Sequence, residues 1–545
     1  MAQLSFPESY RIKPKEWAVL LLLCGVGLAL RWWRLDLIPF RYDAAEAMAR
    51  ARETLHLGYP PYTGIVNSLG FRNPPGLEWL ILPAVLISPD PRWAVALIGI
   101  YVMTGVFPLF LTARQLGGHL CAYLVAALYT FLPVTVFASR DVWAQNLLIP
   151  LGSWCLLFAV RATRLAREER LSALTIAALF AGVGATVHLA ALVWFLGILG
   201  WWLTVLVREK RAGGIAAGKW FTGVLIGALI SLILLPSAID WAALRLSPPR
   251  EKPPHIEKFE AMAPPPKSLA GRLGEAYSGL FDPLSSLQTT SGIEREFSPH
   301  ERTVAGIIDL VLLAWALLAL AWIALAMRGE RAPHLPGDTC VPVGYLLLAW
   351  LFLPPLLTSI VMSYPNGTYF FFALPALFLA MGVGLRSFAD ALTSRQEQYR
   401  VFLRRAGAAG AVLLALYYCF FHISAMNCVA RCERVDGPYY IPLGEQLSFL
   451  RECVDAGMGR GNLIHLGGPW FQRSYDYLAL EVLSIPPRQP AAVMEDILLR
   501  TRHPRRQQFI QAHLSRRHGT VYWDIFPTFQ DAALFADSFY RLPLQ

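Results

Sequence analysis

Residues 171–207 read LSALTIAALFAGVGATVHLAALVWFLGILGWWLTVLV, 37 residues without one Asp, Glu, Lys or Arg. As a single α-helix the run would measure about 55 Å at 1.5 Å per residue. A hydrocarbon core is about 30 Å thick and takes about 20 apolar residues per crossing. The run is therefore read as two crossings folded into a hairpin. Its break is placed near Thr186-Val187-His188, where the polar side chains fall.

The same test of length and polarity, carried outward, gives eleven spans. They lie near 17–33, 93–113, 119–138, 144–160, 171–188, 189–207, 218–238, 303–327, 341–362, 369–385 and 406–426. Composition agrees: 55% of the 545 residues are hydrophobic and 16% are charged, against about 25% charged in a soluble domain. Mean hydropathy is +0.43. A disordered chain, a fibrous repeat and an ordinary cytosolic enzyme are excluded. The expected fold is an all-α polytopic membrane protein with about eleven transmembrane helices.

Orientation follows from where Lys and Arg sit. With a cytoplasmic N-terminus, the inside segments together carry the whole formal charge of +10, and each outside segment stays within about one charge of neutral. The basic balance is thus a topology signal rather than a nucleic-acid footprint, and no nucleic-acid partner is expected. The first span follows a short basic stretch with no small-residue cleavage site and reads as an uncleaved anchor. The expected location is the plasma (inner) membrane, and eleven spans leave the C-terminus outside.

The water-exposed mass also lies outside. It comprises loops 34–92 and 239–302, which belong to a membrane domain 1–426, and a tail 427–545. In the first loop the apolar stretch 77–88, LEWLILPAVLIS, is too short to cross and reads as an interfacial or re-entrant helix. The second loop is Pro-rich and suited to ordering over a ligand. Strand-like runs Asn462–Leu466 and Thr520–Ile525 alternate with helical stretches, so the tail reads as a small α/β extracytoplasmic domain.

Residues able to do chemistry recur at the outer turns. Arg41-Tyr42-Asp43-Ala44-Ala45-Glu46 follows the first span. Asp43 and Glu46 stand at i, i+3 on one helical face. The pattern fits a capping box as well as a carboxylate acting as general base on a hydroxyl. Arg72, ahead of Asn73-Pro74-Pro75-Gly76, is either part of a proline-stiffened turn or a cation facing an anionic headgroup. Ser139-Arg140-Asp141-Val142-Trp143-Ala144-Gln145-Asn146 joins the third and fourth spans. There Asp141 can cap a helix and Arg140 can snorkel, or the two can add a carboxylate and a cation to the face that carries Asp43. His188, at the hairpin turn, can be a packed core histidine. Tyr369 can be an interface aromatic. What sets these residues apart is their common depth: five separate turns offer polar groups at one membrane face.

In this order the segments RYDAAE, FRNPPGLEWL, SRDVWAQN, GVGATVHLAAL and YFFFALPALFL resemble the GT-C class of integral-membrane glycosyltransferases. They look most like bacterial family 39 proteins, related to the aminoarabinose transferases and protein O-mannosyltransferases. The resemblance covers roughly residues 15–390. It rests on five motifs in register, since no one of them is specific alone. Many relatives have adjacent Asp-Glu in the first motif, whereas here Ala44 follows Asp43. The resemblance implies transfer of a sugar from a polyprenyl-phosphate donor to an acceptor hydroxyl on the outer face, with inversion. Asp43 would be the base, with Glu46 and Asp141 as further acidic candidates. Arg41, Arg72, Arg140, His188 and Tyr369 would bind the donor phosphate. The acceptor can be a lipid, a glycan or a protein, and membrane lipids surround the site. A divalent cation is compatible with this chemistry, but no His/Cys/Asp cluster demands one. A polymerase or ligase using a lipid-diphosphate donor would use outer arginines in the same way. A non-enzymatic carrier translocator would put polar residues within the spans, which are nearly free of them.

Overall fold

The computed structural model describes residues 12–67, 71–165, 167–211, 217–246, 267–290, 293, 296–328, 340–361, 367–393, 397–431, 442–455, 463–465, 474, 476–485 and 521–523. The charge-free hairpin is present. Helix α8 (Arg167–Val187) ends at His188, a short 3-10 turn covers Leu189–Ala191, and α9 (Leu192–Arg211) returns. The His188 ring caps that turn by accepting the Ala190 N–H at 3.2 Å.

Among the described residues eight helical stretches are long and apolar enough to cross a membrane, and the chain is a multi-pass membrane protein. The longest, Pro91–Phe131, is not one straight helix. It contains α4 (Pro91–Thr104) and α5 (Val106–Phe131), and Gly118 inside α5 has φ 76° and ψ −171°. An L-residue with a side chain rarely adopts that backbone, and glycine does so freely. The Tyr129 hydroxyl donates to the Val102 carbonyl across this turn. On one continuous helix those residues would stand about 40 Å apart, so the chain must double back. This matches the separate spans expected at 93–113 and 119–138. The two other expected spans, 17–33 and 369–385, overlap α1 (Pro14–Trp32), which carries Lys15, Glu16 and Arg31, and α15 (Leu374–Thr393), whose apolar part is Leu374–Ala389; neither is among the eight stretches.

Helix α15 is well enclosed, with Leu374, Leu377, Phe378 and Met381 all fully buried, and it packs against α5 and α7 (Leu148–Arg164). Helices α10 (Ala217–Leu246) and α16 (Glu397–Arg431) instead present Phe221, Leu232, Leu413 and Phe420 outward, each more than 60% exposed. Apolar surface on that scale needs lipid rather than water.

The segments between the long helices, those expected to lie outside, build a group of short elements. Helix α2 (Tyr42–Leu57) packs on α3 (Gly76–Ile87), the short apolar helix expected at 77–88. The described part of loop 239–302 holds α11 (Leu269–Phe281) and the single turn α12 (Ser286–Thr289). Its prolines at 248–266 lie outside the described residues. Of the tail, α17 (Leu443–Asp455) and a parallel pair of short strands, β1 (Leu463–His465) and β2 (Val521–Trp523), are described. The strands fall inside the two strand-like runs of the sequence, and most of the remaining tail lies outside the described residues. Helix α16 runs to Arg431, five residues past the boundary expected at 426.

Candidate active site

A cavity of about 250 Å³ opens where four of these outer segments meet. The first loop supplies Leu37, Pro39 and Arg41. The SRDVWAQN turn supplies Arg140, Asp141, Trp143 and Asn146. Loop 239–302 supplies Asp282, Gln288 and Thr289, and the segment before α15 supplies Thr368 and Phe371. Phe137 and Val134 make part of the wall apolar.

The sequence explains how Arg41 and Asp141 meet. Arg41 has extended backbone (φ −120°, ψ −179°) and is the residue ahead of α2, so its side chain is thrown clear of the helix. Its guanidinium forms an ion pair with Asp141, and it lies 5.7 Å from the centre of the Trp143 ring, within cation–π range. Asp141 is the more enclosed partner, with its side chain 9% exposed against 27% for Arg41. The cavity thus carries a cation on its wall whose position is set by a buried carboxylate.

Asp43, two residues past Arg41 in the first turn of α2, lies behind the wall and does not itself line the cavity. The capping box is not formed: Arg41 is the N-cap, without a side-chain cap bond, and Asp43 lies inside the first turn. Part of its surface remains open, yet it lies deep in the protein, and burial raises its carboxyl to about 6. The Arg41 charge opposes that rise, and Asp141 and Glu46 add to it. Among the described residues no hydrogen bond reaches the Asp43 carboxylate. Glu46, one turn on, faces Arg50 at 3.9 Å. Asp43 is also close enough to Tyr369 to help burial raise that phenol.

Tyr369 stacks on His188, with ring centroids 5.4 Å apart. Because His188 Nδ1 accepts the Ala190 N–H, the ring proton is on Nε2, 3.2 Å from the Gln145 side-chain amide. That contact is satisfied when the amide presents Oε1, which is otherwise buried without a partner. Burial holds the His188 imidazole down to about 4. At neutral pH it is uncharged and supports Tyr369 from behind, and neither residue lines the cavity.

Arg140 and Arg72 are placed differently from Arg41. Arg140 is 3% exposed and spends its guanidinium on main-chain carbonyls: Arg31 at 2.8 Å, Trp33 at 2.6 Å and Arg34 at 2.9 Å. Arg72 is exposed, does not line the cavity, and gives its backbone N–H to the Asp240 carboxylate on α10 at 2.6 Å. The structure therefore gathers Arg41, Asp43, Glu46, Asp141 and Tyr369 around one corner. Arg140 reaches the lining but directs its guanidinium to main-chain carbonyls, and Arg72 lies to one side. Among the described residues no group of three or more His, Cys, Asp or Glu could hold a metal ion.

No protein-family model matches the chain, and no curated protein matches it. Among solved structures, the chain is similar to ArnT from Cupriavidus metallidurans bound to undecaprenyl phosphate. That similarity has a TM-score of 0.48 at 15% identity and covers 87% of this chain and 90% of that one. It is also similar to the Archaeoglobus fulgidus oligosaccharyltransferase tethered with an acceptor peptide, with a TM-score of 0.46 at 14% identity over 89% of this chain and 61% of that one. A third is the arabinosyltransferase EmbB from Mycobacterium smegmatis, with a TM-score of 0.35 at 14% identity over 83% and 44%. All three are glycosyltransferases of the GT-C class, the class that the five motifs resemble. Likeness at this level says nothing of substrate or chemistry, which rest on the residues of the cavity.

One residue of this region was not singled out from sequence. Glu78, on α3, is 1% exposed and accepts the Ile65 N–H at 3.1 Å, while its Oε2 is buried without a partner. Burial raises its carboxyl to about 7. Gly64 lies so close above it that a Cβ there would sit 3.0 Å from both carboxylate oxygens. The only sequence signal is one acid in an apolar dozen, LEWLILPAVLIS.

A second close approach shapes the cavity rim. A Cβ on Gly279 would lie 2.8 Å from the Gly367 Cα, a main-chain atom that cannot swing aside. Gly279→Ala should therefore push the 367–371 segment, with Thr368 and Phe371, out of the cavity wall. Turnover should fall by about tenfold or more with the chain still folded, as judged by size-exclusion profile. An unchanged rate would mean that this rim does not contact substrate.

Proposed function

We propose that this chain transfers a sugar from a polyprenyl-phosphate-linked donor to an acceptor hydroxyl at the extracytoplasmic face. Asp43 serves as general base and the anomeric centre inverts. The observation that carries this reading is the edge of the cavity at Arg41: a wall cation paired with Asp141, and two residues further on, just behind the lining, a carboxylate with a raised pKa that no hydrogen bond among the described residues reaches. The apolar wall beside it suits the first isoprene units of a carrier.

In this mechanism Asp43 takes the proton from the acceptor hydroxyl as its oxygen bonds to the anomeric carbon. The bond from that carbon to the phosphate oxygen breaks on the opposite face, and the electron pair leaves with the phosphate. Such a leaving group needs charge stabilisation more than protonation, and Arg41 supplies it from the wall. The N-terminus is cytoplasmic and the tail extracytoplasmic in this reading, with the plasma membrane as its location. Undecaprenyl phosphate, the carrier bound by the ArnT structure, is the first carrier to test.

The test is release of free polyprenyl phosphate by purified protein in liposomes, using a panel of polyprenyl-phosphate sugars. Release with these donors supports the proposal. Release only with lipid-diphosphate sugars would replace it with a polymerase or ligase.

The pH profile gives a sharper check. A base must be ionised, so kcat/KM should rise with pH through about 6. Asp141→Asn removes a neighbouring negative charge and should move that limb to lower pH. Arg41→Gln removes the opposing cation and should move it higher. A limb that stays in place in both variants belongs to another group.

A further inference from the structure

The described part of the tail does not stand apart from the membrane domain. Leu443 N–H donates to the Ile38 carbonyl at 2.9 Å, and Pro39 and Pro442 form an antiparallel bridge. The Gln446 side-chain amide donates to the Phe40 carbonyl at 3.0 Å, and Gln446 is 2% exposed. From the other side the Tyr477 ring packs on Phe40, with centroids 5.6 Å apart, and the Tyr477 hydroxyl donates to the Pro89 carbonyl at 2.9 Å. Glu481 pairs with Arg52 of α2 at 2.6 Å. Leu443, Leu450 and Leu478 are fully buried in this contact.

What is gripped matters. Residues Ile38–Phe40 lead directly into Arg41, the wall cation, and Asp43. An extended tripeptide has two soft dihedrals per residue. Left alone it would not fix where α2 begins. Here one of its carbonyls is held by a main-chain N–H and another by a buried side chain, both from residues about 400 positions away.

We propose that the tail is a positioning part of the active site, and that Gln446, through its hydrogen bond to the Phe40 carbonyl, sets the orientation of Arg41 and Asp43. This rests on the reading of Asp43 as the base. Gln446 touches no substrate in this account. It acts through the backbone on a site whose chemistry is sensitive to displacements of an ångström.

The test uses the full chain with Gln446→Ala and, to guard against a packing defect, Gln446→Glu, which keeps the shape and loses the donor when ionised. With the polyprenyl-phosphate donor that wild type uses, kcat should fall about 10- to 100-fold in both while donor KM changes by less than about twofold. Added to Asp43→Asn, either change should cost less than about twofold more, because the group being positioned is already gone. Hydrogen exchange should quicken about tenfold at the amides of 41–46 and stay unchanged in α7.

A wild-type kcat in both variants would overturn the proposal. So would a loss that multiplies with that of Asp43→Asn, or unchanged exchange at 41–46. The exchange arm needs no turnover. A wild-type protein that transferred nothing would sink the proposed function, and exchange alone would then decide whether Gln446 holds the loop.

Discussion

Asp43→Asn should lower the rate of carrier release by at least about a hundredfold, the scale of a lost general base, while the protein folds and binds donor as before. The geometry is why the effect should be confined to chemistry. No hydrogen bond among the described residues ends on the Asp43 carboxylate, so none is lost. Asp43 is inside the first turn of α2 rather than its N-cap. The cost to the helix is then limited to its favourable place near the positive end of the dipole, about 0.3–1 kcal/mol. Asparagine matches the carboxylate in size but cannot take a proton. The neighbouring charges also bear on the outcome. Loss of the Asp43 charge relieves repulsion with Asp141 and Glu46, so donor affinity should hold or improve slightly. Undiminished release would overturn Asp43 as the base and move the role to Glu46 or Asp141, which stand at the same corner.

The membrane fold was legible because its physics is one-dimensional. A charge-free run of 37 residues cannot be one crossing, and the break falls at the polar residues because a hairpin turn must lie at the interface. Gly118 was not needed to separate the spans on either side of it, since their spacing already did so. The start of α2 was not legible. Asp-x-x-Glu at 43 and 46 is the spacing of a capping box, but spacing does not say which residue begins the helix. The first bond, Ala45 N–H to the Arg41 carbonyl, sets it two residues earlier than that pattern suggests.

The site was legible as a depth and not as a set of contacts. Three of the five turns bring Arg41, Asp43, Asp141 and Tyr369 near one another, while the turn that holds Arg72 lies to one side. Which side chains remain available for substrate depends on three-dimensional neighbours. His188 is uncharged because burial, with Tyr369 stacked on it and Gln145 beside it, disfavours the imidazolium. Arg72 is tied by its backbone N–H to Asp240 of α10, away from the cavity. Glu78 became visible only when Gly64 and Ile65 folded over it. The grip of Gln446 on Phe40 spans 406 positions in sequence, and no local pattern encodes it.

Arg140 yields the second large effect, and it should be one of stability. The last carbonyls of a helix have no partner within it. At the end of α1 these fall beside a membrane-embedded core that offers little water. The Arg140 guanidinium answers this by donating to the carbonyls of Arg31, Trp33 and Arg34. Its positive charge also suits the negative end of the helix. A hydrogen bond to a charged group contributes about 1.5–3 kcal/mol, and carbonyls left unpaired when it goes incur their own desolvation cost. Arg140→Met keeps the apolar stem and removes every donor, so it should cost about 3–5 kcal/mol, the range for removing one partner of a buried charged contact. That is a large part of the 5–15 kcal/mol that holds a typical protein folded. Arg140→Lys should recover only part of the loss, since a single ammonium cannot fork across three carbonyls as a planar guanidinium does. The measurement is thermal unfolding of detergent-purified protein, together with undecaprenyl phosphate binding by the fraction that stays folded. A lowered unfolding temperature with binding changed by less than about threefold fits a helix-terminal role. A variant as stable as wild type that no longer binds the carrier would make Arg140 a phosphate ligand instead, and Arg41 would then have a partner cation on the cavity floor.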